Sequence, residues 1–289
     1  MKKLTDLPLG LYEKAICFSL PWEEKLLLTK QAGFDFLEVN IDGEEPRVNR
    51  LYDKNCVTDL NRAIQNTGVR ALSLALTANR KYPLGGESEA VRQKGVDAVK
   101  RAVDFALATG ARIIQLAAYC GGPDQPAAQA EAYLYGSLEK CVEYAAMHCV
   151  TITFENIDTQ LIKNIKQIMR YVRMIDSPFF QAYADIGNMN AMGADAVANL
   201  AEGGRHIVGV HVKDSKPSVV RDVPYGEGTV DFGRCFRMLS DMEYGGVLVA
   251  EMWCHEDAAF HAYLATANSF IRKAMAEAIR GSNKSNQSN

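Results

Sequence analysis

Short apolar runs alternate with longer amphipathic stretches along the whole chain. The runs are LGLYEK (9–14), FDFLEVNI (34–41), VRALSLAL (69–76), ARIIQLAAY (111–119), VTITFEN (150–156), FFQAYADI (179–186), HIVGVHV (206–212) and GVLVAEM (246–252), and each predicts a β-strand. Between them lie helical patterns such as WEEKLLLTKQAG and GVDAVKRAVDFALATG. The second places Val96, Val99, Val103 and Ala106 close to helical spacing. Gly33, Gly68 and Gly110 each stand just before the next strand, where a helix closed by a left-handed residue wants glycine. Strict alternation of strand and helix implies a parallel sheet, because parallel strands need a crossover helix. Eight such units close a (β/α)₈ TIM barrel of the α/β class. An open doubly wound sheet is the rival, but it normally carries a glycine-rich phosphate turn after its first strand, and LGLYEKAICF has none.

Composition narrows the class without changing the fold. The chain has 289 residues, 48% of them hydrophobic and 23% charged, enough for one such barrel with a sizeable core. No linker divides it, so residues 1–280 read as one domain, with the polar GSNKSNQSN (281–289) as a flexible tail. A net charge of −3 argues against a surface built for nucleic acid or an anionic membrane. The cysteines at 17, 56, 120, 141, 149, 235 and 254 form no C-x-x-C pair and read as reduced thiols of a cytoplasmic protein. MKKLTDLPLG lacks the apolar stretch of a secretory signal, and no run is long enough to span a membrane.

The candidate chemistry sits at the strand ends. TITFEN, FQAYAD, HIVGVH and GVLVAE place Glu155, Asp185, His211 and Glu251 at the C-terminal ends of strands 5 to 8, the rim where such barrels keep their sites. A lone Glu there is usually solvated, and a lone His is usually a hydrogen-bonded core group. Four at equivalent places make an oxygen-rich site for one divalent cation, which suits Mn²⁺ or Mg²⁺ and also admits Zn²⁺ or Co²⁺. Strand alternation turns Lys213 the same way as His211, which predicts an anionic-substrate anchor at the mouth. Lys216 follows in a long loop whose Gly226-Glu227-Gly228 would let backbone approach a ligand, and Asp231 is placed to cap the next helix. Arg80 and Lys81, after strand 3, are brought to the same rim; a basic loop pair is otherwise just solvated.

Taken together, F-E-N, D-I-G-N, H-V-K-D, V-P-Y-G-E-G-x-V-D-F and E-M-W, with GLYEKA near the start and RKYPLGG after strand 3, match a known pattern. The chain resembles the L-ribulose-5-phosphate (L-xylulose-5-phosphate) 3-epimerases, members of the xylose-isomerase-like barrels, from about residue 7 to 275. The resemblance implies an isomerase that inverts C3 of a ketopentose 5-phosphate, as in bacterial L-ascorbate degradation, using one metal, Mn²⁺ or Zn²⁺ foremost. It places the family's metal ligands on Glu155, Asp185, His211 and Glu251, and its two catalytic bases on Glu155 and Glu251. Epimerases of free ketoses in the superfamily usually carry His three residues past the Asp ligand; here that residue is Asn188, which bears on substrate recognition. Substrate contacts are expected from Asn188, Lys213, Lys216, Arg80, Lys81, Glu227 and Trp253, while Gln115 and Glu38 read equally as supporting or structural. A homodimer is expected. The rivals are an aldose–ketose isomerase, an inosose-type dehydratase, a barrel that binds sugar phosphates without turnover and a DNA-repair endonuclease. The last wants several zinc-binding histidines and a basic face, which this chain lacks.

Overall fold

The computed structural model describes residues 3–122, 124–157, 161–254 and 258–285. Eight strands pair in chain order, all parallel: β1 (Leu9–Tyr12), β2 (Phe36–Ile41), β3 (Arg70–Leu76), β4 (Ile113–Ala117), β5 (Thr151–Glu155), β6 (Phe180–Asp185), β7 (Ile207–Val212) and β8 (Val247–Ala250). Leu9 lies opposite Leu248, so β8 returns to β1 and closes the barrel. Each strand falls inside one of the apolar runs. The helices are α1 (Trp22–Gln31), α2 (Lys54–Thr67), α3 (Glu89–Thr109), α4 (Ala127–Met147), α5 (Ile165–Ile175), α6 (Ile186–Ala191), α7 (Ala196–Gly203), α8 (Phe232–Asp241) and α9 (Ala258–Ser285). Gly68 and Gly110 follow α2 and α3 at φ of 74° and 87°, a backbone region that costs other residues a clash at Cβ. Asp231 caps α8 by accepting from the backbone N–H of Arg234 at 2.9 Å. Helix α9 is longer than the sequence suggests: it runs to Ser285, into the segment read as a tail, and 286–289 lie outside the described residues. No described helix is long and apolar enough to cross a membrane.

Period-two alternation sorts the strand residues into two zones. Leu9, Leu11, Leu37, Val39, Ile152, Phe154, Phe180 and Leu248 turn outward and pack with the helices in the main core. Tyr12, Phe36, Ala75 and Val249 form a separate apolar cluster inside the barrel. Two glycines make that interior possible. A Cβ on Gly10 would stand 2.3 Å from the Phe36 ring, and one on Gly209 would stand 2.1 Å from the Tyr183 ring. With those rings filling the barrel, the inward positions nearer the strand ends turn polar: Glu38, Asn40, Ser73, Gln115, Thr153, Glu155, Asp185 and His211, all buried. Polar groups buried this deeply must satisfy one another or a ligand, since each unpaired one costs free energy.

Candidate metal centre and active site

At the C-terminal rim, β5, β6, β7 and the residue following β8 bring Glu155, Asp185, His211 and Glu251 together. One donor atom from each lies within 4.8 Å of all the others, and all four residues are buried. Neighbouring strands set this proximity directly, for Asp185 and His211 are opposite one another in the β6–β7 register. His211 Nδ1 is 2.7 Å from Glu155 Oε1 and 3.7 Å from Glu251 Oε2. Three carboxylates and one imidazole match the donor chemistry of a hard or borderline divalent cation, so the residues present fit a resident metal ion.

A layer of partners orients these donors. Glu38 Oε1 sits 2.6 Å from His211 Nε2, while its Oε2 accepts from Ser73 Oγ at 2.6 Å and from the Tyr183 hydroxyl at 2.9 Å. A carboxylate fixed on Nε2 leaves Nδ1 as the nitrogen turned to the cluster, the usual way a protein sets the orientation of a ligating histidine. Gln115 donates from Nε2 to Glu155 Oε2. Asn156 clamps β5 to β6: its Oδ1 accepts from the backbone N–H of Asp185 at 2.8 Å and its Nδ2 donates to the Asp185 carbonyl at 3.0 Å. Asp185 Oδ1 caps α6 through Asn188 N–H at 2.9 Å, which leaves Oδ2 facing the site. Thus Glu38 and Gln115, equally structural by sequence, both touch proposed ligands. Asn156 was overlooked although it sits within the F-E-N motif; its signal is a buried amide one residue past a strand-end carboxylate.

Burial raises the Glu155 carboxyl above its ordinary pKa against the pull of His211, and raises Asp185 against the pull of Lys213. Burial also opposes the charge of Glu251, but Lys213 and then His211 overcome it and hold this carboxyl low. Burial opposes an imidazolium at His211 as well, yet Glu38, Glu251 and Glu155 together raise it well above the histidine range. The site is therefore a dense block of negative charge partly compensated from within.

Above the cluster opens a cavity of about 440 Å³, walled in part by Glu155, Glu251, Tyr12, Asn188, Lys213 and Trp253. Arg80 and Lys81 line it as expected, joined by Lys14 and Arg221, which sequence reasoning passed over. Arg80 donates to the Tyr119 hydroxyl, and Arg221 lies 5.2 Å from the Trp253 ring centroid. Three expectations need correction. Lys213 is not at the mouth: it is 4% exposed, with Nζ 2.7 Å from both Asp185 Oδ2 and Glu251 Oε2. Lys216 and Glu227 are exposed and outside the cavity wall. The Gly226-Glu227-Gly228 backbone turns its N–H groups to the Asp214 carboxylate, which accepts from Gly226 N–H at 2.9 Å and Gly228 N–H at 3.0 Å. A Cβ on Gly228 would lie 1.9 Å from Asp214 Oδ1, so the glycines serve loop closure.

The model of the family described as "Xylose isomerase-like TIM barrel" matches residues 26–276. The chain belongs to that family. Among curated proteins it is 40% identical over 276 residues to L-ribulose-5-phosphate 3-epimerase UlaE of Escherichia coli (strain SMS-3-5 / SECEC), an alignment covering 94% of this chain and 96% of the relative. The Salmonella paratyphi A protein of the same name is 39% identical over 274 residues, with the same coverage. The enzyme class expected from sequence, an isomerase, is the class of these relatives. Among solved structures, an L-ribulose 3-epimerase aligns with TM-score 0.81 at 19% identity, over 96% of this chain and 97% of that one. The IolI protein with a bound zinc atom aligns with TM-score 0.78 at 14% identity, over 94% and 99%. At those identities the structures speak for the shared barrel of this family.

Proposed function

We propose that the protein is a metal-dependent 3-epimerase interconverting L-ribulose 5-phosphate and L-xylulose 5-phosphate. The observation that carries this reading is a pair of buried glutamates, Glu155 ending β5 and Glu251 following β8, which line one cavity and approach the same His211 nitrogen from separate strands, at 2.7 and 3.7 Å. The names of relatives about 40% identical over nearly the whole chain supply the substrate.

Glu155, Asp185, His211 and Glu251 would hold the cation. Once bound, it supplies Lewis-acid stabilisation of the negative charge that develops on the sugar oxygens beside C3. A proton on carbon next to a ketone is weakly acidic, and inversion needs a base on each face of the near-planar enediolate. One glutamate removes the C3 proton and the other returns a proton to the opposite face. Gln115 aims Glu155, and Lys213 holds Glu251, so the two bases stay apart on their separate strands. Arg80, Lys81 and Arg221 on the wall suit a 5-phosphate, Lys14 there being paired with Asp42 at 3.1 Å, while Asn188 and Trp253 border the sugar's place.

An NMR assay with L-ribulose 5-phosphate in D₂O, run with Mn²⁺ and after metal stripping, tests the reading. L-Xylulose 5-phosphate deuterated at C3 should form with metal alone, and Glu155→Gln and Glu251→Gln should each abolish it without altering the circular dichroism. Deuterium at C1 with an aldose product would instead make the protein an aldose–ketose isomerase. A glutamine variant of normal activity would end the two-base assignment.

A further inference from the structure

Lys213 occupies an unusual place for a lysine next to a divalent-cation site. Its Nζ donates to Asp185 Oδ2 and Glu251 Oε2, both at 2.7 Å, and to Asn188 Oδ1 at 2.9 Å. An ammonium has three protons, and these acceptors use all of them. The fold makes room for the lysine stem at Gly187, where a Cβ would come within 2.7 Å of the Lys213 carbonyl oxygen and 3.0 Å of its Cβ and Cε.

The two carboxylate oxygens it holds are those the site offers to a metal. Asp185 Oδ1 is committed to capping α6, which leaves Oδ2. Glu251 Oε2 is the oxygen that faces His211 Nδ1, at 3.7 Å. A cation drawn to these oxygens therefore meets a positive charge already on them, in a buried setting where like charges are poorly screened.

We propose that Lys213 is a positioning residue that shares Asp185 Oδ2 and Glu251 Oε2 with the metal ion and competes with it for them. This rests on the metal-dependent reading above. The three carboxylate ligands carry negative charge, and Lys213 already offsets one of those charges before a cation arrives. The lysine thereby sets the metal affinity lower than the ligands alone would give. It also keeps the carboxylates fixed against one another. When a metal takes up these oxygens, the bond to Asn188 Oδ1 remains to hold the ammonium at the cavity wall, beside Glu251 and the substrate's place.

The test is a calorimetric titration of the metal-stripped full chain with Mn²⁺, for the parent, Lys213→Gln and Lys213→Met, with thermal melts of each protein before and after loading. Competition predicts one Mn²⁺ per chain in all three and a Kd roughly tenfold or more lower in the variants, because a neutral side chain no longer opposes the metal. The rise in Tm on loading should be larger in the variants than in the parent. The polar glutamine variant decides the question if the methionine variant does not fold. Unchanged or weaker Mn²⁺ affinity in a folded variant overturns the proposal, since it makes Lys213 indifferent to the metal or a support for its ligands. A parent chain that binds no Mn²⁺ would instead strike the metal-dependent reading itself.

Discussion

Glu13, one residue past β1, is 1% exposed and has both oxygens committed to cations and a backbone donor. Lys25 Nζ is 2.7 Å from Oε1, Arg50 contacts Oε2 at 2.7 Å and Oε1 at 2.8 Å, and the Asn40 N–H donates to Oε2 at 2.9 Å. Burial alone would raise this carboxyl, but bidentate Arg50 and then Lys25 overcome it, holding the pKa at about 2 against an ordinary 4.5. At about 1.4 kcal/mol for each pKa step, the charged form stabilises the fold by about 3 kcal/mol at neutral pH. Glu13→Gln removes that contribution and strands two buried cations, a class of change that costs about 3–5 kcal/mol. For a chain of this size the loss should lower Tm by about 6 °C or more at pH 7. Because folding depresses the pKa, the stabilisation is complete above the unfolded value of 4.5 and is lost as pH falls through about 2. Thermal melts by circular dichroism at pH 7 and about pH 3 should thus show a parent–variant gap that narrows in acid. Lys25→Met should cost less than Glu13→Gln. Burial pulls the Lys25 ammonium below its ordinary range even beside Glu13, so its charge gains little. A Glu13→Gln protein melting within about 2 °C of the parent at pH 7, or a gap constant across pH, would refute the reasoning.

Two further outcomes test the site. Glu38→Gln should weaken Mn²⁺ binding by about 10- to 100-fold, because the carboxylate on His211 Nε2 fixes which ring nitrogen faces the metal; equal affinity in a calorimetric titration would remove Glu38 from that role. Arg80→Ala should raise KM for L-ribulose 5-phosphate by about tenfold, the worth of one charge-assisted hydrogen bond, and leave KM for unphosphorylated L-ribulose unchanged. Steady-state kinetics showing the same change for both sugars would place the phosphate elsewhere.

The barrel and its proposed ligands were legible because each depends on a local rule. Alternation marks the strands, and the strands' common direction carries Glu155, Asp185, His211 and Glu251 to one rim. Lys213 was legible in direction but not in depth. Alternation turns it inward, yet nothing in HIVGVHVKD says that Asp185 and Glu251 come close enough to capture its ammonium. The loop after β7 misled for a related reason. Its glycines do permit a close approach, but the group approached is Asp214, on the same loop. Lys14 reaches the cavity wall from the turn directly after β1, two residues past inward-facing Tyr12, whereas Arg221 arrives from the long loop after β7, which no periodicity encodes.

Buried glutamates show the same boundary between pattern and contact. Glu13, Glu38, Glu155 and Glu251 all lie at or near strand ends, and sequence position alone gives them equal claim to chemistry. Access to the cavity separates them. Both oxygens of Glu13 face protein donors, and so do both of Glu38, which makes them supports: one for the turn that carries Lys14, the other for the His211 ring. Glu155 is also held at both oxygens, by His211 and Gln115, and Glu251 at one by Lys213, but these two border the open cavity, where a ligand can reach them. A carboxylate buried away from the cavity and bound by its own chain has no path to a sugar's proton. The proposed chemistry therefore falls to Glu155 and Glu251, while Glu13 and Glu38 hold the rim in shape.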